Sequence, residues 1–125
     1  MEITLIRHTS VDVPPGVCYG QTDVPLKDSF EQEAAITLSR LKASLPEEEN
    51  FDHAFTSPLT RCVRLADYCG YPNAERDKRL MEINFGAWEM KPFDRNDDTR
   101  LQEGYADYLN VAATGRGSFA MQYER

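Results

Sequence analysis

The sequence predicts an α/β fold with parallel strands, and three of its features lead to this prediction. Residues 2–7 are typical of a strand, because their partly β-branched interior holds the apolar residues Ile3, Leu5 and Ile6. Helical apolar spacing follows over residues 28–45, and a second strand-like segment at 52–57 leads directly into a second helical pattern. Because strands that alternate with helices form layers, we expect helices packed on a parallel sheet.

Size and composition indicate one globular domain over residues 1–125. The 125 residues are 41% hydrophobic and 28% charged, which is usual for soluble domains. No apolar run approaches the roughly 20 residues that span a bilayer, and the N-terminus lacks the basic and apolar regions of a secretory signal. We therefore expect a cytoplasmic protein that does not engage a membrane.

The charge and the cysteine content argue against two further classes of protein. A formal net charge of -7 argues against a nucleic-acid partner, which requires a basic face. It also means that any phosphate substrate must be held by arginines gathered locally. Cys18, Cys62 and Cys69 are an odd number of cysteines, which without a secretory signal indicates free thiols. Their spacing does not suit a metal site, so we expect no metal.

The strand at Glu2 to Arg7 should be followed by a long loop from Thr9 to about Lys27. This loop contains residues that interrupt regular structure, namely Pro14, Pro15, Gly16, Gly20 and Pro25. A loop of this length in a compact domain is often functional. We therefore expect part of the functional site to lie in it.

A first helix is expected to begin near residue 28. Asp28 with Glu31, or Ser29 with Gln32, has the spacing of a capping box. Apolar residues then recur at roughly helical intervals, at Ala34, Ala35, Leu38, Leu41 and Leu45. Because a proline cannot continue a helix, Pro46 should end it.

The second strand, Asp52 to Ser57, should lead into a second helix. Ser57 is a good N-cap residue and Pro58 suits the first helical position, while Gly70 suits the position after the helix. Three further elements are expected, a short strand at Ala74 to Lys78, a structured loop at Leu80 to Glu89 and a helix at Leu101 to Val111.

Residues at the ends of the predicted strands form a candidate phosphate site. Arg7 and His8 end the first strand, and Ser57 and Arg61 follow the second. In parallel α/β sheets ligands bind beyond the carboxyl ends of the strands, where two guanidinium groups and a helix N-terminus suit a phosphate. His8 would attack phosphorus through one ring nitrogen while an acceptor on the other nitrogen fixes the tautomer. The alternative is a histidine at a strand end and an arginine on a helix surface.

Four motifs resemble those of the histidine phosphatases of the phosphoglycerate-mutase-like superfamily. They are LIRHT (5–9), GQTDVPL (20–26), TSPLTR (56–61) and MEINFGAWE (81–89), in the order and at the spacing of that family. Within the superfamily, RHT and CYGQTDVPL (18–26) are most similar to the alpha-ribazole phosphatases of cobalamin synthesis. The resemblance implies a three-layer α/β/α fold with a mostly parallel sheet, of which this sequence holds the N-terminal portion and is C-terminally incomplete.

The resemblance also implies a role for each matching residue. His8 matches the nucleophile that becomes phosphohistidine, and Arg7 and Arg61 match the two arginines that clamp the phosphate. Glu82 matches the acid that protonates the leaving oxygen. Candidate substrate-binding residues are Tyr19, Gly20, Gln21 and Ser57. These roles imply metal-independent hydrolysis of a small phosphomonoester, with alpha-ribazole 5'-phosphate as the candidate substrate and no cofactor.

Glu82 has a second, weaker argument from its neighbours. It stands among Met81, Ile83 and Phe85, and burial among such side chains would raise the pKa of a carboxyl group and suit it to donate a proton. The alternative is a solvated acid in a loop. Glu89 is the competing candidate for the proton donor, although the motif matches it less well.

One position of the family pattern has no counterpart in this sequence. The family's site has a second histidine in a later strand, whereas this sequence has only two histidines, and His53 lies at the wrong end of its strand. A catalytically impaired or inactive phosphate-binding remnant therefore stays open as an alternative to the hydrolase. A phosphoglycerate mutase is a further alternative, although a short chain has little room for the loops that would keep water from the phosphohistidine. Missing strands would also leave a sheet edge and an apolar face uncovered, which predicts pairing with a second copy.

Overall fold

A computed structural model describes residues 1–46 and 50–92 of the chain. Contacts between Cα atoms divide the chain into two compact units. The first unit holds residues 1–12 and 25–77, and the second holds residues 13–24 together with the described residues 78–92.

The first unit begins its regular structure with helix α1, Phe30–Ser44. The helix is preceded by Ser29 as its N-cap, as predicted, but neither expected capping box forms. Instead, the Ser29 hydroxyl donates to the Glu33 carboxylate at 2.7 Å. Leu45 at the C-terminal end is extended, which is the conformation that a following proline favours, so the prediction that Pro46 ends the helix is confirmed.

Strands β1, Phe55–Thr56, and β2, Glu75–Arg76, form a two-stranded parallel sheet. Phe55 pairs with Glu75, and Thr56 pairs with Arg76. Helix α2, Thr60–Tyr68, connects them, so the predicted strand–helix–strand order and the parallel pairing are confirmed. The first of these strands is shorter than the predicted segment 52–57.

Helix α2 begins later than the sequence predicts, but it ends where predicted. Leu59, with ψ of 140°, is its extended N-cap, so the prediction that Ser57 and Pro58 open the helix is wrong. The Ser57 hydroxyl accepts a 3.4 Å hydrogen bond from the Leu59 N–H, which stabilises a turn ahead of the helix. Gly70 follows the helix with φ of +95°, and the Gly70 and Tyr71 N–H groups bond to the carbonyls of Asp67 and Ala66, as in a Schellman motif.

The core of the first unit lies between the two helices. Its buried members are Phe30, Ala34, Leu41, Leu65 and Cys69. The Phe30 ring meets Tyr68 edge-on with centroids 5.9 Å apart, and the Arg64 guanidinium lies 4.3 Å from the centroid of the same ring. Burial of such apolar side chains contributes about 1.5–3 kcal/mol each, so α1 and α2 hold this unit together.

The predicted strand at residues 2–7 is the main element that the structure contradicts. Residues 1–10 have no regular structure, and Ile3 and Leu5 are 72% and 90% exposed. No backbone hydrogen bond joins residues 1–9 to another described residue. An apolar alternation becomes a strand only where a neighbouring strand supplies hydrogen-bond partners and a face to bury it, and the described part of the chain supplies neither.

The second unit consists of structured loops, as predicted for residues 80–89. It contains two 3₁₀ turns, Lys78–Leu80 and Gly86–Trp88. Two backbone hydrogen bonds join Cys18 to residues 90 and 91. The Cys18 N–H donates to the Lys91 carbonyl at 2.9 Å, and the Met90 N–H donates to the Cys18 carbonyl at 2.7 Å. Cys18 and Trp88 form a small buried cluster on which Phe85 packs.

The predicted helix at 101–111 lies outside the described residues. Of the helices in the described ranges, none is long and apolar enough to cross a membrane.

Candidate active site

His8 is oriented by a hydrogen bond to the backbone of the next residue. Its side chain is partly buried, and its Nδ1 lies 2.7 Å from the carbonyl oxygen of Thr9. A carbonyl oxygen only accepts, so the hydrogen of the neutral ring is on Nδ1 and the lone pair is on Nε2. The ring therefore has the tautomer that a nucleophilic attack through Nε2 requires.

Arg61 is buried in the second position of α2. Its side chain is only 2% exposed, so the alternative of a surface arginine is wrong. Arginines are rarely buried to this degree unless their charge is balanced. Ser57 is buried as well and follows the carboxyl end of β1. Both therefore lie at the end of the strand where the sequence predicts a phosphate site.

Arg7 and His53 are exposed, unlike the buried Arg61 and Ser57. His53 precedes β1, with its ring centroid 6.4 Å from that of Phe55. Because Ser57 follows the strand and His53 precedes it, His53 is at the opposite end of β1, as the sequence predicts.

Glu82 is exposed, contrary to the expectation that its apolar neighbours bury it. Met81, Ile83 and Phe85 are each partly buried, but the Glu82 side chain is not enclosed by them. Its Oε1 accepts a 2.8 Å hydrogen bond from the Ile83 N–H, and its backbone carbonyl accepts one from the Gln21 side-chain amide at 3.0 Å. The assignment of Glu82 as proton donor rests on the resemblance.

Glu89, the competing candidate, is a hydrogen-bond acceptor for four donors. They are the N–H groups of Gly20, Gln21 and Phe85 and the hydroxyl of Thr22. Partial burial raises the pKa of Glu89, but these hydrogen bonds outweigh the burial and hold the pKa below its ordinary value. A carboxylate that is stabilised in its ionised form is a poor proton donor, which argues against this assignment.

The predicted pocket residues of the second unit are held by contacts within that unit. Gly20 is buried, and a Cβ atom placed on it would lie 1.9 Å from the Ile83 carbonyl oxygen. Gln21 binds Glu89 through its backbone and Glu82 through its side chain. Tyr19 is partly buried. The sequence did not predict the hydrogen bonds that Gly20, Gln21 and Thr22 donate to Glu89. Its only signal for them is that these three consecutive residues lie in a predicted loop, where their backbone N–H and hydroxyl groups need an acceptor.

The three cysteines are free, as predicted. Burial, and secondarily the charge of Glu89, raises the pKa of the Cys18 thiol to about 12. A thiol with this pKa is unreactive at neutral pH. Within the described ranges, no group of three or more His, Cys, Asp and Glu side chains could hold a metal ion.

Comparison with protein families gives a match over nearly the whole chain. The model of the histidine phosphatase superfamily (branch 1) matches residues 3–125. The chain belongs to this superfamily. A search of curated proteins returned no match.

Solved structures of similar fold include two from Thermus thermophilus. The protein TTHB049 has 29% sequence identity and a TM-score of 0.69, with 94% of this chain and 64% of that chain covered. A phosphoglycerate mutase has 28% identity and the same TM-score and coverage. An Escherichia coli K-12 MG1655 protein proposed to be an alpha-ribazole-5'-P phosphatase has a TM-score of 0.76 over 96% of this chain and 62% of that one. Its 22% identity shows the fold alone.

These neighbours confirm the predicted phosphoglycerate-mutase-like α/β fold of this superfamily member. The chain spans less than two thirds of the length of each of these three proteins.

Proposed function

We propose that this superfamily member is a metal-independent phosphomonoester hydrolase that works through a phosphohistidine on His8. The observation that carries the proposal is the 2.7 Å hydrogen bond between Nδ1 of His8 and the Thr9 carbonyl. It leaves the Nε2 lone pair available for attack without a separate base.

The reaction has two steps, and its protons balance. Nε2 of His8 attacks phosphorus, the bond from phosphorus to the ester oxygen breaks, and Glu82 donates a proton to the leaving alcohol. Water then attacks the phosphohistidine, the P–N bond breaks, and the proton released by the water returns to the Glu82 carboxylate. The products are the alcohol and inorganic phosphate, and the enzyme regains its starting state.

Two arginines stabilise the charge of the transferred group in this proposal. Arg61 is buried at the carboxyl end of β1, where low polarity strengthens its interaction with phosphate oxygens. Arg7, next to the nucleophile, supplies a second guanidinium, and the planar forks of both suit phosphate. Ser57 adds a buried hydroxyl at the same strand end.

For the substrate we propose a small phosphomonoester of the alpha-ribazole 5'-phosphate type, in the cytoplasm. Its support is the resemblance of the segments 7–9 and 18–26 to alpha-ribazole phosphatases. Tyr19, Gly20 and Gln21 are the proposed substrate-binding residues of that segment. A comparison of kcat/KM for alpha-ribazole 5'-phosphate, phosphoglycerates and nucleoside monophosphates tests this choice, and a preference for phosphoglycerates would overturn it.

The central test is hydrolysis of para-nitrophenyl phosphate with a chelator present. The chain offers a matched control, because His53→Ala removes the only other histidine, which is exposed. We expect activity that survives chelation, disappears in His8→Ala and persists in His53→Ala. Rapid acid-free quenching with labelled substrate should trap label on the wild type and not on His8→Ala.

Two results would contradict the proposal. Folded wild type that binds inorganic phosphate without any turnover would favour the non-catalytic remnant. Transfer of the phosphoryl group to a second hydroxyl of a phosphoglycerate, rather than to water, would favour the mutase.

A further inference from the structure

We infer that Glu89 is a positioning residue that holds the segment carrying Glu82 against the segment Gly20–Thr22. The inference deepens the proposed function, because it names a residue that acts on the proposed proton donor without touching the substrate. It is confined to the second unit, in which all of these residues lie.

The Glu89 carboxylate joins two segments that are distant in sequence. Its Oε2 accepts from the Gly20 N–H at 3.0 Å and from the Thr22 hydroxyl at 2.6 Å. Its Oε1 accepts from the Gln21 N–H at 3.0 Å and from the Phe85 N–H at 3.1 Å. Each oxygen therefore binds two donors, and three of the four belong to the segment 20–22.

The segment 20–22 in turn holds the backbone of Glu82. The Gln21 side-chain amide donates to the Glu82 carbonyl at 3.0 Å. Gly20 lies so close to the Ile83 carbonyl that no side chain fits between them. The Glu82 carboxylate then accepts from the Ile83 N–H at 2.8 Å. Movement of the segment 20–22 would therefore shift the backbone of the proton donor and of the residue after it.

An ionised glutamate suits this position better than its amide. All four partners donate, and a carboxylate has only acceptor atoms. In Glu89→Gln the amide nitrogen would face two donors, and at least one N–H would lose its acceptor. Hydrogen bonds to a charged acceptor are also stronger than those to a neutral one. We therefore expect the segment 20–22 to be held less tightly in this variant.

The first test measures position without depending on activity. Amide hydrogen exchange is followed by NMR in wild type, Glu89→Gln, the milder Thr22→Val and the control Glu31→Gln, an exposed residue of α1. We expect faster exchange at Gly20, Gln21 and Phe85 in both Glu89→Gln and Thr22→Val. We also expect faster exchange at Ile83, because its N–H donates to the Glu82 carboxylate and therefore reports the position of that group. The control should show no change. An unchanged Ile83 amide beside a loosened Gly20 amide would overturn the inference.

The second test reads out proton donation. A nitrophenolate leaves readily without a proton, whereas a phenolate or an alkoxide requires one. We expect Glu82→Gln to lower kcat by about 10²-fold or more on phenyl phosphate and much less on para-nitrophenyl phosphate. Glu89→Gln should show the same selective loss at a smaller size, about 10-fold, because it displaces the donor without removing it.

Failures of the two proposals are distinguishable. Wild type that is inactive on both esters overturns the proposed function, and the Ile83 amide still decides the positioning role. Equal losses on the two esters in Glu89→Gln, with normal Glu82→Gln selectivity, overturn the positioning role and leave the hydrolase intact.

Discussion

Gly20 lies against the backbone of Ile83, where even a methyl group would collide with a carbonyl oxygen. We predict that Gly20→Ala lowers the free energy of unfolding by about 1–3 kcal/mol, the usual cost of overpacking. Urea unfolding followed by the fluorescence of Trp88, the single tryptophan, measures it. Unchanged stability would mean that this contact is not tight. The motif around residue 20 predicts a substrate pocket, and the structure shows in addition that its glycine packs against the backbone of Ile83.

Glu89 makes stability depend on acid pH. Its pKa is lower when folded than the ordinary value of 4.5, so its stabilising contribution is complete above that value and disappears as pH falls through the folded pKa. We predict that the free energy of unfolding decreases below about pH 4.5 and that the decrease is smaller in Glu89→Gln. Denaturant titrations at a series of pH values measure this difference. Equal pH slopes in the two proteins would contradict it.

At the scale of single residues, the sequence predicted a phosphate chemistry that stays a prediction, and it did not predict the contacts that hold the residues concerned. The types and spacing of Arg7, His8 and Arg61 were enough to predict a phosphate site. The tautomer of His8 and the burial of Arg61 depend on a neighbouring carbonyl and on helix packing, which the sequence does not specify. The exposure of Glu82 was mispredicted, because apolar neighbours in sequence do not have to enclose a side chain in space.

Helix α2 ends at a glycine whose backbone, and not its surroundings, requires it. Gly70 has φ of +95°, and a Cβ atom there would meet open space. We predict that Gly70→Ala lowers the free energy of unfolding by about 1 kcal/mol and that Gly70→Asn costs less, because asparagine tolerates left-handed backbone. Thermal unfolding of both variants checks the order. An equal loss for alanine and asparagine would contradict the backbone explanation.

The accuracy of the predicted elements follows from how local their signals are. The ends of α1 and α2 were placed well because Pro46 and Gly70 act through the backbone next to them. The start of α2 shifted because Ser57 bonds within a turn instead of capping the helix. Strands β1 and β2 are shorter than predicted, since the extent of a strand depends on how far its partner runs beside it.

The apolar N-terminal segment has the largest consequence for the whole molecule. Ile3, Leu5 and Ile6 are exposed, although their pattern is that of a buried strand. We propose that the chain pairs with a second copy through this segment, since exposed, apolar, strand-like segments favour association. Sedimentation velocity over a range of concentrations should show self-association that weakens in the double variant Ile3→Lys with Leu5→Lys.

A matched control for this prediction is Gln32→Lys, which adds a charge at an exposed position of α1. It should associate as wild type does. A wild type that sediments as a monomer at every concentration and unfolds cooperatively would contradict the pairing.

The sequence by itself determined the superfamily and the helix–strand alternation, and it predicted the residues with phosphate chemistry. These follow from residue types at fixed spacings, and such patterns act locally. Only the tertiary structure decided the tautomer of His8, the burial of Arg61 and the attachment of Glu89 to the segment 20–22. Among the described residues, it also gave residues 2–7 no strand partner. The bonds of Glu89 join groups far apart in the chain, and the His8 bond depends on the backbone conformation at the next residue. Residue types alone specify neither, because burial and hydrogen-bond geometry arise only when the chain folds.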